Sequence, residues 1–119
     1  MTTEQRKSNL MPNNIPKYIR VYDNLGDSFD RYTVIFTRAD KIGYKGRVPM
    51  RVMSEYPYSP TGVGLWMDYD THVIQECKNG WPPAIGRKNH LGLRIKFEAL
   101  PEDCQKCVIA DYMEVWQLQ

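Results

Sequence analysis

Apolar and polar positions follow two periods along this chain, and the clearest switch between them lies near its end. From Leu91 to Phe97, Leu93, Ile95 and Phe97 alternate with Gly92, Arg94 and Lys96. A period of two puts three apolar side chains on one face of a strand and two cations on the other. From Pro101 onward the spacing becomes helical. Cys104, Val108, Tyr112 and Val115 form one stripe with Cys107 beside them, while Gln105, Lys106, Asp111 and Glu114 are expected to lie away from it. Proline suits the first helical position, and Glu102 and Asp103 follow where the helix dipole favours carboxylates. About four turns do not hold a lone helix together in water, so the stripe must be buried on a sheet, with Trp116 as an anchor.

Earlier segments read as strands. Lys17–Tyr22 alternates Tyr18, Arg20 and Tyr22 with Ile19 and Val21, and Arg31–Thr37 is rich in β-branched and aromatic residues. Between them Asp23, Asn24, Gly26 and Asp27 carry turn chemistry, which predicts an antiparallel hairpin with a long loop. Val48–Glu55 is a third strand, with Pro49 placed at its start or on an edge. Leu65–Tyr69 and His72–Gln75 are candidates for two short strands. The expected fold is therefore α+β: a twisted antiparallel sheet of four or five strands with the C-terminal helix packed on one face. Residues 1–16 are polar, with Asn13 and Asn14 between prolines, and read as a disordered arm preceding a single domain over 17–119.

Composition narrows the function classes. The 119 residues suit one domain, and a net charge of +2 does not by itself argue for nucleic acid. No apolar run approaches the roughly 20 residues of a membrane span. No apolar signal core begins the chain, and three cysteines fit a reducing cytoplasm better than a disulfide framework. Eight tyrosines favour a partly exposed aromatic surface, which leaves room for a partner or a second copy.

The loops hold the candidate chemistry. Tyr56–Gly64 combines prolines, glycines and tyrosines, and Gly86–His90 gathers cations, an amide and an imidazole. A ligand site is expected from Arg31, Met53, Ser54, Glu55, Gly62, Gly64, Arg87, Asn89 and His90, with Tyr56 or Tyr58 stacking. The cations would neutralise an anionic ligand, and the amide and hydroxyl would orient it. A second reading is a nucleic-acid surface made from Arg38, Lys41, Lys45, Arg47, Arg87 and Lys88. A third is a small hydrolase or transferase using His90 with Glu55.

Metal and redox chemistry find little support. Cys104 and Cys107 form a CxxC spacing, but Cys104 lies inside the helix and the usual βαβ setting is missing. Cys77, Cys104 and Cys107 with His72 or His90 match no zinc-ribbon spacing, and Asp23, Asp27 and Asp30 match no EF-hand. No cofactor fingerprint is present: there is no P-loop, GxSxG or HExxH.

Four stretches taken together carry a resemblance: KYIRVYDN at 17–24, DRYTVIFT at 30–37, MSExP at 53–57, and HLGxRIxFEALPEDCQKxVxxDYxxxW at 90–116. The chain resembles a group of small phage-encoded proteins with no settled activity. That group carries histidines in its middle segment, near where this chain has Ser59 and Trp66, and an aliphatic residue where it has Cys107, which weighs against zinc. The resemblance implies a non-enzymatic accessory protein of the host cytoplasm. It would bind, inhibit or sequester a host component, either a defence protein or an anionic, nucleotide-like ligand.

Overall fold

The structure, a computed structural model, describes residues 2–38, 48–57, 66–68, 85–89 and 91–118. At Val48, residues 66–68 and Asn89 it describes the backbone alone. The expected strand at His72–Gln75 lies outside the described residues, as do Cys77 and the basic stretch over 39–47.

The fold is α+β. Six strands form one antiparallel sheet among the described residues: β1 (Ile19–Asp23), β2 (Tyr32–Phe36), β3 (Val48–Met53), β4 (Trp66–Asp68), β5 (Lys88–Asn89) and β6 (Gly92–Ile95). Their spatial order is β4-β3-β2-β1-β6-β5. β1 and β2 are the expected hairpin, registered from Ile19 opposite Phe36 to Asp23 opposite Tyr32. β6 then returns to the other side of β1, with Val21 opposite Ile95 and Asp23 opposite Leu93. The two-residue β5 brings the sheet above the expected four or five strands; it is too short to show any period in the sequence. Pro49 is the second residue of β3 and stands beyond the β2 ladder, which begins at Met50, so its missing N–H costs no bond there.

Strand alternation divides the core. Val21, Tyr32, Val34, Phe36 and Met53 face the long helix α2 (Glu102–Val115) and pack with Cys104, Cys107, Val108, Tyr112 and Val115, as the helical stripe required. On the opposite face Tyr22, Ile35 and Met50 form a second buried cluster with Val52 and Leu91 beside it. The terminal strand is shorter than its alternation implied. It ends at Ile95, and Phe97–Ala99 winds into a 3-10 turn that buries Phe97 beneath the helix. Pro101 is the N-cap residue of α2 rather than its first helical residue.

Two features depart from the sequence reading. The first is residues 3–10, expected within a disordered arm, which form helix α1 (Thr3–Leu10). No apolar stripe marks it. A capping box holds its start, with the Gln5 amide donating to the Thr2 hydroxyl at 3.1 Å and the Thr2 amide donating to the Gln5 side chain at 2.8 Å. Tertiary ties hold it to α2: Arg6 donates to the Trp116 carbonyl at 3.0 Å and the Tyr112 hydroxyl to the Leu10 carbonyl at 3.1 Å. Met11 follows and is buried in the main core.

The second departure is Asp111. Expected to lie away from the helix stripe, it is fully buried and takes two hydrogen bonds from the guanidinium of Arg51 on β3, one of them Nη2 to Oδ1 at 2.9 Å. The bonds it donates to Asp111 hold the arginine in its charged form despite its burial, raising its pKa. A charged pair thus crosses the layer between helix and sheet.

Candidate functional site

Strand register lines up Met53, Tyr32, Asp23, Leu93 and Lys88 in one row across the sheet. The connection from β1 to β2 and the chain leaving β3 therefore emerge at the same end. Residues 24–30 could have been a loose loop; instead they are cross-braced. The Asn24 side chain accepts from the Gly26 amide at 2.9 Å and donates to Ser28 Oγ at 2.8 Å and to the Asp30 carbonyl at 3.0 Å. The Asp23 carboxylate accepts from the Leu25 amide at 2.8 Å. These are Asx turns, in which a side chain stands in for a backbone partner. They hold Leu25 (φ 64°) and Gly26 (φ 89°) in the left-handed region, which bends the chain sharply outward.

Arg31 closes the loop. Its Nε donates to Asp23 Oδ1 at 2.7 Å and its Nη2 to Asp23 Oδ2 at 3.0 Å, a bidentate pair. Its Nη1 reaches across to Glu55, just past β3. Burial opposes the charge on Asp23, but the bonds from Arg31 and the Leu25 amide outweigh it and hold its pKa below the ordinary carboxylate value. The bond to Asp23 likewise raises the pKa of Arg31. Next to Glu55, the buried Ser54 hydroxyl accepts from the Tyr56 amide at 3.1 Å. The Cys104 thiol, on α2, donates to the carbonyls of Ser54 at 3.4 Å and Glu55 at 3.7 Å. The two chain segments at this end are thus fixed to each other and to the helix.

What the braced end presents is apolar. Leu25 is 53%, Phe29 84% and Tyr56 84% exposed, three of the four large hydrophobic residues turned outward among the described residues. Single exposed hydrophobics are ordinary, but these three stand on two segments that the Arg31–Glu55 pair ties together at one end of the sheet. Asp27 and Asp30 stand exposed between them. Among the described residues, Asp23, Asp27, Asp30 and Glu55 against Arg31 give the β1–β2 connection and the exit of β3 a local charge of −3 (four acids less one cation), while the cations Arg87 and Lys88 stand at the same end two strands from β1.

Of the expected ligand-site residues, Arg31 lies against Glu55 in the run Met53–Tyr56, but several of these side chains have other work. Arg31, expected to neutralise a ligand, is neutralised by Asp23 and Glu55. Met53 is buried in the core and Ser54 braces a backbone. Arg87 is exposed before β5, which β6 separates from β1. At about 4.8 Å per strand it stands roughly 10 Å or more from β1, so it does not converge with Arg31. Tyr58, Gly62, Gly64 and His90 lie outside the described residues, and Asn89 is described as backbone in β5.

The basic set does not form one patch where it is described. Arg38 stacks over Tyr18 at 4.2 Å, at the opposite end of the sheet from Lys88 in β5; Lys41, Lys45 and Arg47 lie outside the described residues. Cys104 and Cys107 are both buried as free thiols. Burial, with the neighbouring Cys107, Asp103 and Glu55, pushes the Cys104 thiol up to about 11, the opposite of what a redox nucleophile needs. Among the described residues no three of His, Cys, Asp and Glu are grouped to hold a metal ion, and no helix is long and apolar enough to cross a membrane.

Leu25 and Phe29 escaped the sequence reading, which took Asp23, Asp27 and Asp30 only as candidate cation ligands. The turn itself was legible from its Asx residues and glycine, but hydrophobic residues are assigned to the core by default. Comparison with protein-family models, with curated proteins and with solved structures finds no match to the chain.

Proposed function

We propose that the protein is a non-enzymatic binding module that engages another protein through the braced end of its sheet. The observation that supports this reading is the outward exposure of Leu25, Phe29 and Tyr56 on a scaffold tied by Asn24 and by the Asp23–Arg31–Glu55 cluster. Ordering a loop on binding costs free energy, and a loop already ordered avoids that cost. Projecting knobs suit a partner's pocket, whereas a small ligand needs a concave one. The resemblance to small phage-encoded proteins supports a host component of the cytoplasm as the partner, held or inhibited by this contact. Glu55, the acid of the hydrolase reading, is committed to Arg31.

Affinity purification from infected cells tests this. Wild-type bait and a Phe29→Ala/Tyr56→Ala bait are compared by quantitative mass spectrometry. Loss of a large aromatic anchor costs about 2 kcal/mol or more, roughly thirtyfold in affinity. At least one host protein should be recovered by the wild type and depleted at least tenfold with the variant. Identical recoveries with a folded variant overturn the reading.

A further inference from the structure

The charge around the exposed tips identifies the chemistry of what they bind. Resting on the proposed binding surface, we infer that its partner is a protein segment with an apolar stripe flanked by lysines or arginines. Asp27 and Asp30 are exposed on the same loop as Leu25 and Phe29, and Glu55 adjoins Tyr56 with its side chain 39% exposed. Arg31 offsets one charge of that rim and is itself enclosed by Asp23 and Glu55. The chain as a whole is weakly cationic at +2, whereas the described charges beside Phe29 and Tyr56 are acids in excess by three, with Arg87 and Lys88 set apart two strands from β1.

Charges on an interface rim steer encounter and reject like-charged partners more than they add affinity. The rim of this surface therefore selects a basic counterpart. It repels nucleic-acid phosphates and anionic lipid. A symmetric pairing of this end with its own copy is disfavoured for the same reason, because such a contact sets acid against acid. The apolar tips supply the contact area, with Phe29 entering between the apolar side chains of the segment and the aspartates meeting the cations beside it.

The test uses two synthetic amphipathic peptides with the same leucine stripe, one flanked by lysines and one by glutamates. Each is titrated into the isotope-labelled full chain and followed by amide chemical shifts. The lysine-flanked peptide should shift residues 25–31 and 54–56 and bind roughly tenfold more tightly than the glutamate-flanked one. That preference should shrink at 0.5 M salt and reverse in Asp27→Lys/Asp30→Lys. Phe29→Ala should weaken both peptides without altering the preference.

Equal binding of both peptides at these residues overturns the cationic partner while leaving the binding surface standing. Shifts elsewhere, or none at these residues with either peptide, overturn both. A Phe29→Ala chain that binds as wild type also overturns the surface. Dilution-dependent shifts at these residues without peptide assign the tips to a second copy and overturn the inference.

Discussion

The buried pair between Arg51 and Asp111 offers the sharpest test of how helix and sheet are joined. Asp111 is fully buried and Arg51 is 6% exposed, so both charges lie out of bulk water and the hydrogen bonds between them offset that loss. Replacing Asp111 with alanine leaves a buried guanidinium without its carboxylate. Removing one partner of a buried pair costs about 3–5 kcal/mol. A domain of this length is stable by about 6–18 kcal/mol at the usual 0.05–0.15 kcal/mol per residue, so the loss is a large fraction of the whole. Removing both charges has a different outcome. Arg51→Met with Asp111→Leu exchanges the pair for packed apolar groups, and such exchanges are neutral or stabilising by about 1–4 kcal/mol. Urea unfolding followed by far-ultraviolet circular dichroism measures all four corners of the cycle, with the slope checked for two-state behaviour. The double variant should be at least as stable as the wild type, and each single variant at least about 3 kcal/mol less stable. The account fails if Asp111→Ala loses less than about 1 kcal/mol at unchanged slope, since water or another group would then be satisfying the arginine. It also fails if the double variant is less stable than either single one.

Three further outcomes are expected. Met11→Ala should cost about 2 kcal/mol or more by thermal unfolding, because Met11 is 4% exposed in the main core; a change within 0.5 kcal/mol would show that the N-terminal segment does not pack there. Gly92→Ala should destabilise by about 2 kcal/mol or more, since Gly92 has φ +118° and an added Cβ would meet the Asp23 carbonyl oxygen at 2.4 Å; wild-type stability in urea would refute the close approach. Asp23 has a lowered pKa in the folded state, so its charge adds stability above the unfolded carboxylate value of about 3.9 and loses it as pH falls through the lower folded value. The stability gap between wild type and Asp23→Asn should hold from about pH 7 to pH 5 and narrow below about pH 4; parallel curves to pH 2 would refute the linkage.

The legible parts of the sequence were those in which one local rule and the tertiary environment agree. β1, β2 and β3 announce themselves by β-branched and aromatic residues, and the α2 stripe places Cys104, Val108, Tyr112 and Val115 where the core requires them. The illegible parts depend on residues far away. Helix α1 has no apolar face to betray it and is fixed by Trp116 and Tyr112, more than 100 positions distant. Asp111 reads as a solvent residue until Arg51, 60 positions earlier, is known to sit beneath it. At the candidate site the sequence named Arg31, Glu55 and Tyr56 from loop composition, yet assigned the arginine to a ligand. Its real partner, Asp23, sat in the same hairpin eight positions away, in a turn already recognised for its backbone chemistry.

The strand order has a consequence for synthesis. β1 lies between β2, which follows it closely, and β6, which is made some seventy residues later. Hairpin pairing is local and quick, whereas closure over that span is slow. While the chain is still being made, the bonding groups along the outer side of Val21 to Asp23 have no β6 to meet. That interval is when a nascent copy is most open to pairing with the wrong strand, and chaperone need should concentrate there.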